Sequence, residues 1–221
     1  MARQLILALP CRTAYGREDF LVAPANEAAV ALIDRWPDWP GVAVALTGPA
    51  GSGKTHLAEV WRERSRALTV TGPHLRIADV PVLLAKGALV IEAANELSGE
   101  GEQALFHLLN LAHAENAFVL LLARPAPGQW RVKLPDLASR VKALPAVSLN
   151  EPDDALLGAV LAKLFADRQL RIPDTLVPFL AQRIERSVDA ARRIVQAIDE
   201  ASLSGKRPVT IPLAADVLVK G

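Results

Sequence analysis

Gly48-Pro49-Ala50-Gly51-Ser52-Gly53-Lys54-Thr55 carries the full G-x-x-x-x-G-K-[ST] pattern. It lies between a strand-like run, Val42-Ala43-Val44-Ala45-Leu46-Thr47, and a segment with Leu57, Val60 and Trp61 at helical spacing. A strand, a glycine-rich turn and a helix in that order form a phosphate cradle. The glycines let successive backbone N–H groups turn inward, and the helix directs its positive dipole end at the anion. Lys54 is expected to reach the β- and γ-phosphates, Thr55 to hold Mg²⁺ through its hydroxyl, and His56 to follow directly on the loop. The bound molecule is therefore a nucleoside phosphate.

Outward from this loop the pattern alternates. The run at 42–47 is continuously apolar, as suits a parallel strand buried on both faces. Further apolar strand candidates follow at 67–70, 88–91, 117–122 and 146–149, separated by helical or loop segments. Such alternation predicts an α/β domain with a five-stranded parallel sheet and helices on both faces. Asn26 is expected to cap a first helix bearing Ala29, Val30 and Ile33, with the nearby tryptophans serving as packing. From Asn150 onward only helices are expected. One is capped by Asp153 and Asp154, another spans about 174–184, a third starts at Ser187 and stops near Gly205, and a last one follows Thr210. The expected division is a tail over 1–18, an α/β nucleotide-binding domain over 19–150 and a small helical domain over 151–221.

The chain has 221 residues, 51% of them hydrophobic, and a formal net charge of +1. That charge provides no field for unspecific attraction to DNA or an acidic membrane. A single cysteine, Cys11, rules out a disulfide framework, and no apolar run reaches the length of a membrane span. The apolar core 5–9 is too short for a signal peptide, so a cytoplasmic location is expected. The four histidines show no metal-ligand spacing.

Hydrolysis needs an acidic group at the tip of a neighbouring strand to hold the Mg²⁺ water shell. The strand at 88–91 ends in Glu92-Ala93-Ala94-Asn95, so Glu92 is the metal-side and catalytic candidate, and Ala93 stands where a second carboxylate is usual. Rapid turnover is not expected from that pair.

Several further stretches share one affinity. They are Asp19-Phe20-Leu21-Val22-Ala23-Pro24-Ala25-Asn26, the strand at 117–122 with Ala123-Arg124-Pro125, Leu134-Pro135-Asp136-Leu137-Ala138-Ser139-Arg140, Ser187-Val188-Asp189 with Arg192 and Arg193, and Gln4-Leu5-Ile6-Leu7-Ala8-Leu9. Together they resemble the AAA+ initiators of bacterial replication typified by DnaA, and more closely the Hda-type regulators. The resemblance implies an AAA+ P-loop fold with a small all-helical lid, and ADP or ATP with Mg²⁺ as cofactors. It implies that Phe20, Leu21 and Val22 surround the adenine. The polar sensor of the fourth strand is replaced by Ala123, and Arg140 corresponds to an arginine finger acting in trans. Asp189 stands where the lid arginine is expected, leaving Arg192 or Arg193 to take its part. Gln4, Leu5, Leu7 and Leu9 correspond to a peptide that binds the DNA polymerase III sliding clamp (β subunit), with Ala8 where proline is common.

The implied function is regulation of replication initiation: clamp-tethered stimulation of ATP hydrolysis by DnaA. The chain ends after the lid-like helices, so sequence-specific DNA binding is not expected. The alternative is a self-acting P-loop ATPase, such as a helicase loader. Whether ADP or ATP is the working ligand stays open, as does a homo-oligomer.

Overall fold

A computed structural model of the chain describes residues 20–205 and 207–220. The peptide with Gln4, Leu5, Leu7 and Leu9 lies outside the described residues. Strands β1 (Ala43–Thr47), β2 (Leu68–Thr71), β3 (Ala88–Glu92), β4 (Phe118–Ala123) and β5 (Ala146–Ser148) form one sheet in the order β2-β3-β4-β1-β5. Every pairing is parallel, with Thr47 opposite Ala123 on one side of β1 and opposite Ser148 on the other.

Alternation along the central strands divides the core into two layers, as the two-residue period of a strand requires. Ala43, Ala45, Leu89, Ile91, Val119 and Leu121 face α3 (Val80–Leu84), α4 (Gly99–Glu115) and α5 (Pro135–Lys142). Val44, Leu46, Val90, Leu120 and Leu122 face α1 (Glu27–Asp34) and α2 (Lys54–Ser65). All five residues of β1 are buried, whereas the edge strands β2 and β5 are partly exposed. The unbroken apolar run at 42–47 thus marks a strand with neighbours on both edges and helices on both faces.

The lid consists of α6 (Asp154–Asp167), α7 (Leu176–Ala181), α8 (Val188–Gly205) and α9 (Ile211–Lys220). Leu157, Leu161, Phe165, Leu176, Leu180, Val195 and Ile198 form its separate core. The Asp153 carboxylate caps α6 by accepting the Leu156 N–H at 2.7 Å. Two local expectations differ. Asn26 stands at the start of α1 without capping it, because its side chain accepts from Ala23 N–H and donates to Leu21 O, both at 2.8 Å. The helix expected over 174–184 is shorter, since its ends form single turns closed by Leu176 N–H to Pro173 O and by Arg183 N–H to Leu180 O.

The back of α2 is held by aromatic packing. Trp61 is fully buried, stacks on Trp39 at 5.0 Å between ring centroids, and meets Trp36 edge-on at 6.2 Å. Trp39 and Trp36 each meet Phe118 of β4 edge-on at 5.8 Å. One turn further along α2, the Arg64 guanidinium lies over the Trp36 ring and donates to the carbonyls of Asp34 and Trp36. The four rings fix α2 against α1 and the sheet. Trp61→Ala is expected to destabilise the protein by about 3–5 kcal/mol, the usual cost of truncating a buried aromatic. Chemical denaturation should show the loss as a lowered midpoint with unchanged slope.

Candidate nucleotide-binding site

The loop 48–53 leaves β1 at its C-terminal end and enters α2 at Lys54. Gly48, Gly51 and Gly53 have φ of 142°, 71° and 97°, backbone conformations that side chains disfavour. Space is as restrictive as torsion. A Cβ on Gly48 would lie 2.2 Å from Leu149 O, and one on Gly51 would lie 2.6 Å from Ser187 Cβ. Pro49 and Ala50 form the exposed crown of the loop, while Ser52 is buried beneath it. The first N–H groups of α2 have no carbonyl one turn back within the helix to accept from them. This cradle fits a phosphate chain, with main-chain donors in front and a helix dipole behind.

Lys54 Nζ donates to Gly48 O at 2.8 Å and Pro49 O at 2.6 Å, with Ser52 Oγ at 3.4 Å. Burial lowers its pKa, the positive Arg124 lowers it further, and Asp189 opposes both. An ammonium in such surroundings gains from an anion. Thr55 is exposed at the helix start, within the expected Mg²⁺-holding segment. Glu92, at the tip of β3, is half-buried, and β4 with its buried Ala123 runs between β3 and β1. Ala93 follows in the left-handed region at φ 49°.

Phe20 is buried, meets the His56 ring edge-on at 5.2 Å, and comes near Gly53. Leu21 is held through its carbonyl by Asn26, and Val22 is half exposed. On the other side of His56, Arg192 Nη2 lies 2.9 Å from Nδ1. Guanidinium groups only donate, so Nδ1 must be the accepting nitrogen. The half-buried Arg192 thus spans from the lid to the phosphate-loop helix, whereas Arg193 is exposed and faces Glu185 at 3.7 Å.

Contacts between lid and loop are invisible in the motif itself. Val188 N–H donates to Gly51 O at 2.8 Å, and Ser187 caps α8 by accepting from Ala190 N–H at 3.0 Å. Ser187, Val188 and Arg124 were not singled out as site residues by sequence. The closest available signal was the glycine at 51, a variable position of the pattern whose lack of a side chain admits Ser187.

Arg140 occupies the last turn of α5. Its guanidinium carbon lies 4.9 Å from the Phe106 ring centroid, and the residue is exposed. The helix lies in the connection between β4 and the parallel strand β5, and its last turn meets α4 through Arg140. Contacts join Phe20, His56 and Arg192 at the start of α2 beside Lys54, and the Arg140 contact with Phe106 reaches none of them. Among the described residues no group of histidine, cysteine and carboxylate side chains could hold a metal alone, and no helix is long and apolar enough to cross a membrane.

A family model described as the Hda lid domain matches residues 154–218. An uncharacterised protein of Haemophilus influenzae is 30% identical over 184 residues, covering 78% of this chain and 80% of that one. Among solved structures, domain III of the Thermotoga maritima replication initiation protein DnaA superposes with a TM-score of 0.78 at 18% identity, over 93% of this chain and 96% of that one. DnaA from Aquifex aeolicus with bound AMPPCP gives 0.71 at 17% identity, over 86% and 67%. The Holliday junction branch migration motor RuvB of Thermotoga maritima gives 0.73 at 18% identity, over 93% and 71%. At these identities the superpositions show a common fold. With an Hda-type lid joined to a DnaA-like domain and its phosphate loop, the chain belongs to the Hda-type family of DnaA-related AAA+ proteins.

Proposed function

We propose that this DnaA-related replication regulator holds ADP or ATP with Mg²⁺ in its own cradle as a structural ligand, and acts on the nucleotide of another subunit. Its target is ATP-bound DnaA. Arg140 is presented to that nucleotide, and the peptide with Gln4, Leu5, Leu7 and Leu9 tethers the chain to the DNA sliding clamp. Hydrolysis in DnaA would then limit re-initiation.

One observation carries the proposal: Arg140 is exposed, stacked on Phe106 of α4, and in contact with no residue of the chain's own phosphate loop. An exposed arginine outside its own nucleotide cradle is available to another's. Supplied in trans, such a group stabilises the charge that develops on the transferring phosphoryl, worth ~10³ to 10⁵ in rate. Within its own site the chain is equipped to bind. Lys54 and the loop amides meet the phosphates, Thr55 and Glu92 would hold Mg²⁺, the latter through water, and Phe20, Leu21 and Val22 flank the base. Arg192 reports from the lid. Ala93 and Ala123 withhold the polar groups that would orient an attacking water, which suits retention of product. Alternating apolar residues such as Leu5, Leu7 and Leu9 suit pockets on a partner, and tethering raises effective concentration.

Arg140→Ala is expected to reduce stimulated turnover of DnaA-bound ATP by at least about a hundredfold, given the usual worth of such groups, while leaving binding of ADP intact. The assay is hydrolysis by DnaA in the presence of clamp-loaded DNA, and undiminished stimulation by the variant would refute the role of Arg140. Lys54→Ala should weaken ADP binding by roughly tenfold to a hundredfold, the worth of one charge-assisted hydrogen bond. The melting temperature of the nucleotide-free variant should stay the same or rise, because a half-buried ammonium is removed. Calorimetric titration and thermal melting separate the two effects. ATP turnover of several per second by the isolated protein would instead favour a self-acting ATPase.

A further inference from the structure

Glu102 is a buried carboxylate, 6% exposed, that the nucleotide cradle does not use. It lies in the first turn of α4, where Ser98 Oγ accepts the Gly101 N–H at 3.1 Å and starts the helix. From there the side chain crosses to the segment leading into α5. Its Oε1 and Oε2 accept the Lys133 N–H at 3.1 and 3.0 Å, and Oε2 also accepts the Leu134 N–H at 2.9 Å. Leu134 is the cap position of α5, has no capping oxygen of its own, and is followed by Pro135. Glu102 supplies from a neighbouring helix the acceptor for the cap residue's own N–H that a glutamate three residues into the helix supplies in a capping box.

Phe106 lies four residues further on the same face of α4, because i and i+4 stack one above the other. Its ring receives the Arg140 guanidinium at 4.9 Å. One helix therefore grips α5 twice, at the entry through a carboxylate and in the last turn through an aromatic face. A buried charged group left with poor partners would be costly, so its two main-chain donors fix the loop as firmly as the loop fixes Glu102. Leu137 and Val141 of α5 fill the core between these grips.

We infer that Glu102 and Phe106 are positioning residues for Arg140. Glu102 sets where α5 begins, and Phe106 holds the guanidinium over α4 in an orientation ready for a partner's nucleotide. The inference rests on Arg140 being the group presented in trans. Neither residue touches that nucleotide. Their effect is on how often the guanidinium occupies the productive place, and misplacement by about an ångström can cost up to roughly a hundredfold in rate.

The test uses the full chain with Phe106→Leu, Phe106→Tyr, Glu102→Gln and Arg140→Ala, singly and in pairs. Phe106→Leu should lower maximal stimulation of DnaA-bound ATP turnover about tenfold or more while leaving half-saturating concentration and ADP affinity unchanged. Phe106→Tyr should restore it. When Arg140 is already alanine, Phe106→Leu should have no further effect, as coupled residues require. An equal loss in both backgrounds, or no loss in either, overturns the inference. Two readouts do not depend on DnaA. The Arg140 side-chain resonances should lose their ring-current shift in Phe106→Leu, and amide exchange at Lys133 and Leu134 should accelerate in Glu102→Gln with little change in the lid. Unchanged resonances and exchange would also overturn it. If both spectroscopic effects appear while Arg140→Ala stimulates normally, the positioning stands and the proposed action on DnaA fails.

Discussion

Strand β1 has no free edge. Its carbonyls and amides are matched by β4 on one side and β5 on the other, and the matching continues past its last residue. Gly48 N–H donates to Arg124 O beyond β4, and Leu149 N–H, just past β5, donates to Thr47 O. The phosphate loop is therefore suspended between two flanking strand ends. Buried main-chain groups must be paired, and here pairing also dictates position. With Leu149 O only 2.2 Å from where a Gly48 Cβ would sit, the suspension demands glycine at that point. Loop, lid contact and nucleotide cradle all follow from this arrangement of three parallel strands.

The lid uses the same economy of space. Gly51 offers its carbonyl to Val188 and its bare Cα to Ser187, so the start of α8 lies directly on the loop. Farther along α8, Arg192 meets His56 of α2. Two independent points of attachment, one main-chain and one side-chain, join the helical domain to the element that holds phosphate. A change in loop geometry would be felt by α8 at once.

Much of this was legible in the sequence. Strand positions follow from apolar runs bounded by turns, and the loop pattern, which needs glycine for torsional reasons, marks the nucleotide site by itself. The start of α6 was legible because Asp153 caps it locally. Asn26 was misleading for an equally local reason: a side chain that can cap a helix can also tie a preceding turn, and here the bonds to Ala23 and Leu21 win. Long-range choices left no local trace. Arg192 and Arg193 are adjacent and chemically alike, and only the partner 136 positions away distinguishes them. Glu102 reads as an ordinary acid in the first turn of a helix, a position favoured by the helix dipole alone. Its grip on Lys133 and Leu134 depends on how α4 and α5 cross, which no pattern within either helix encodes.

The stack of Trp39 on Trp61, with Trp36 and Phe118 closing its sides, lies behind the helix that carries Lys54. Because α2 is braced from behind, the donors at its front are ordered before any ligand arrives. Binding then forfeits little conformational entropy, which is the usual route by which a preformed site gains affinity without new contacts. Such a gain appears in slow departure more than in fast arrival. The tryptophans are thus expected to bear on how long a bound nucleotide stays as well as on stability.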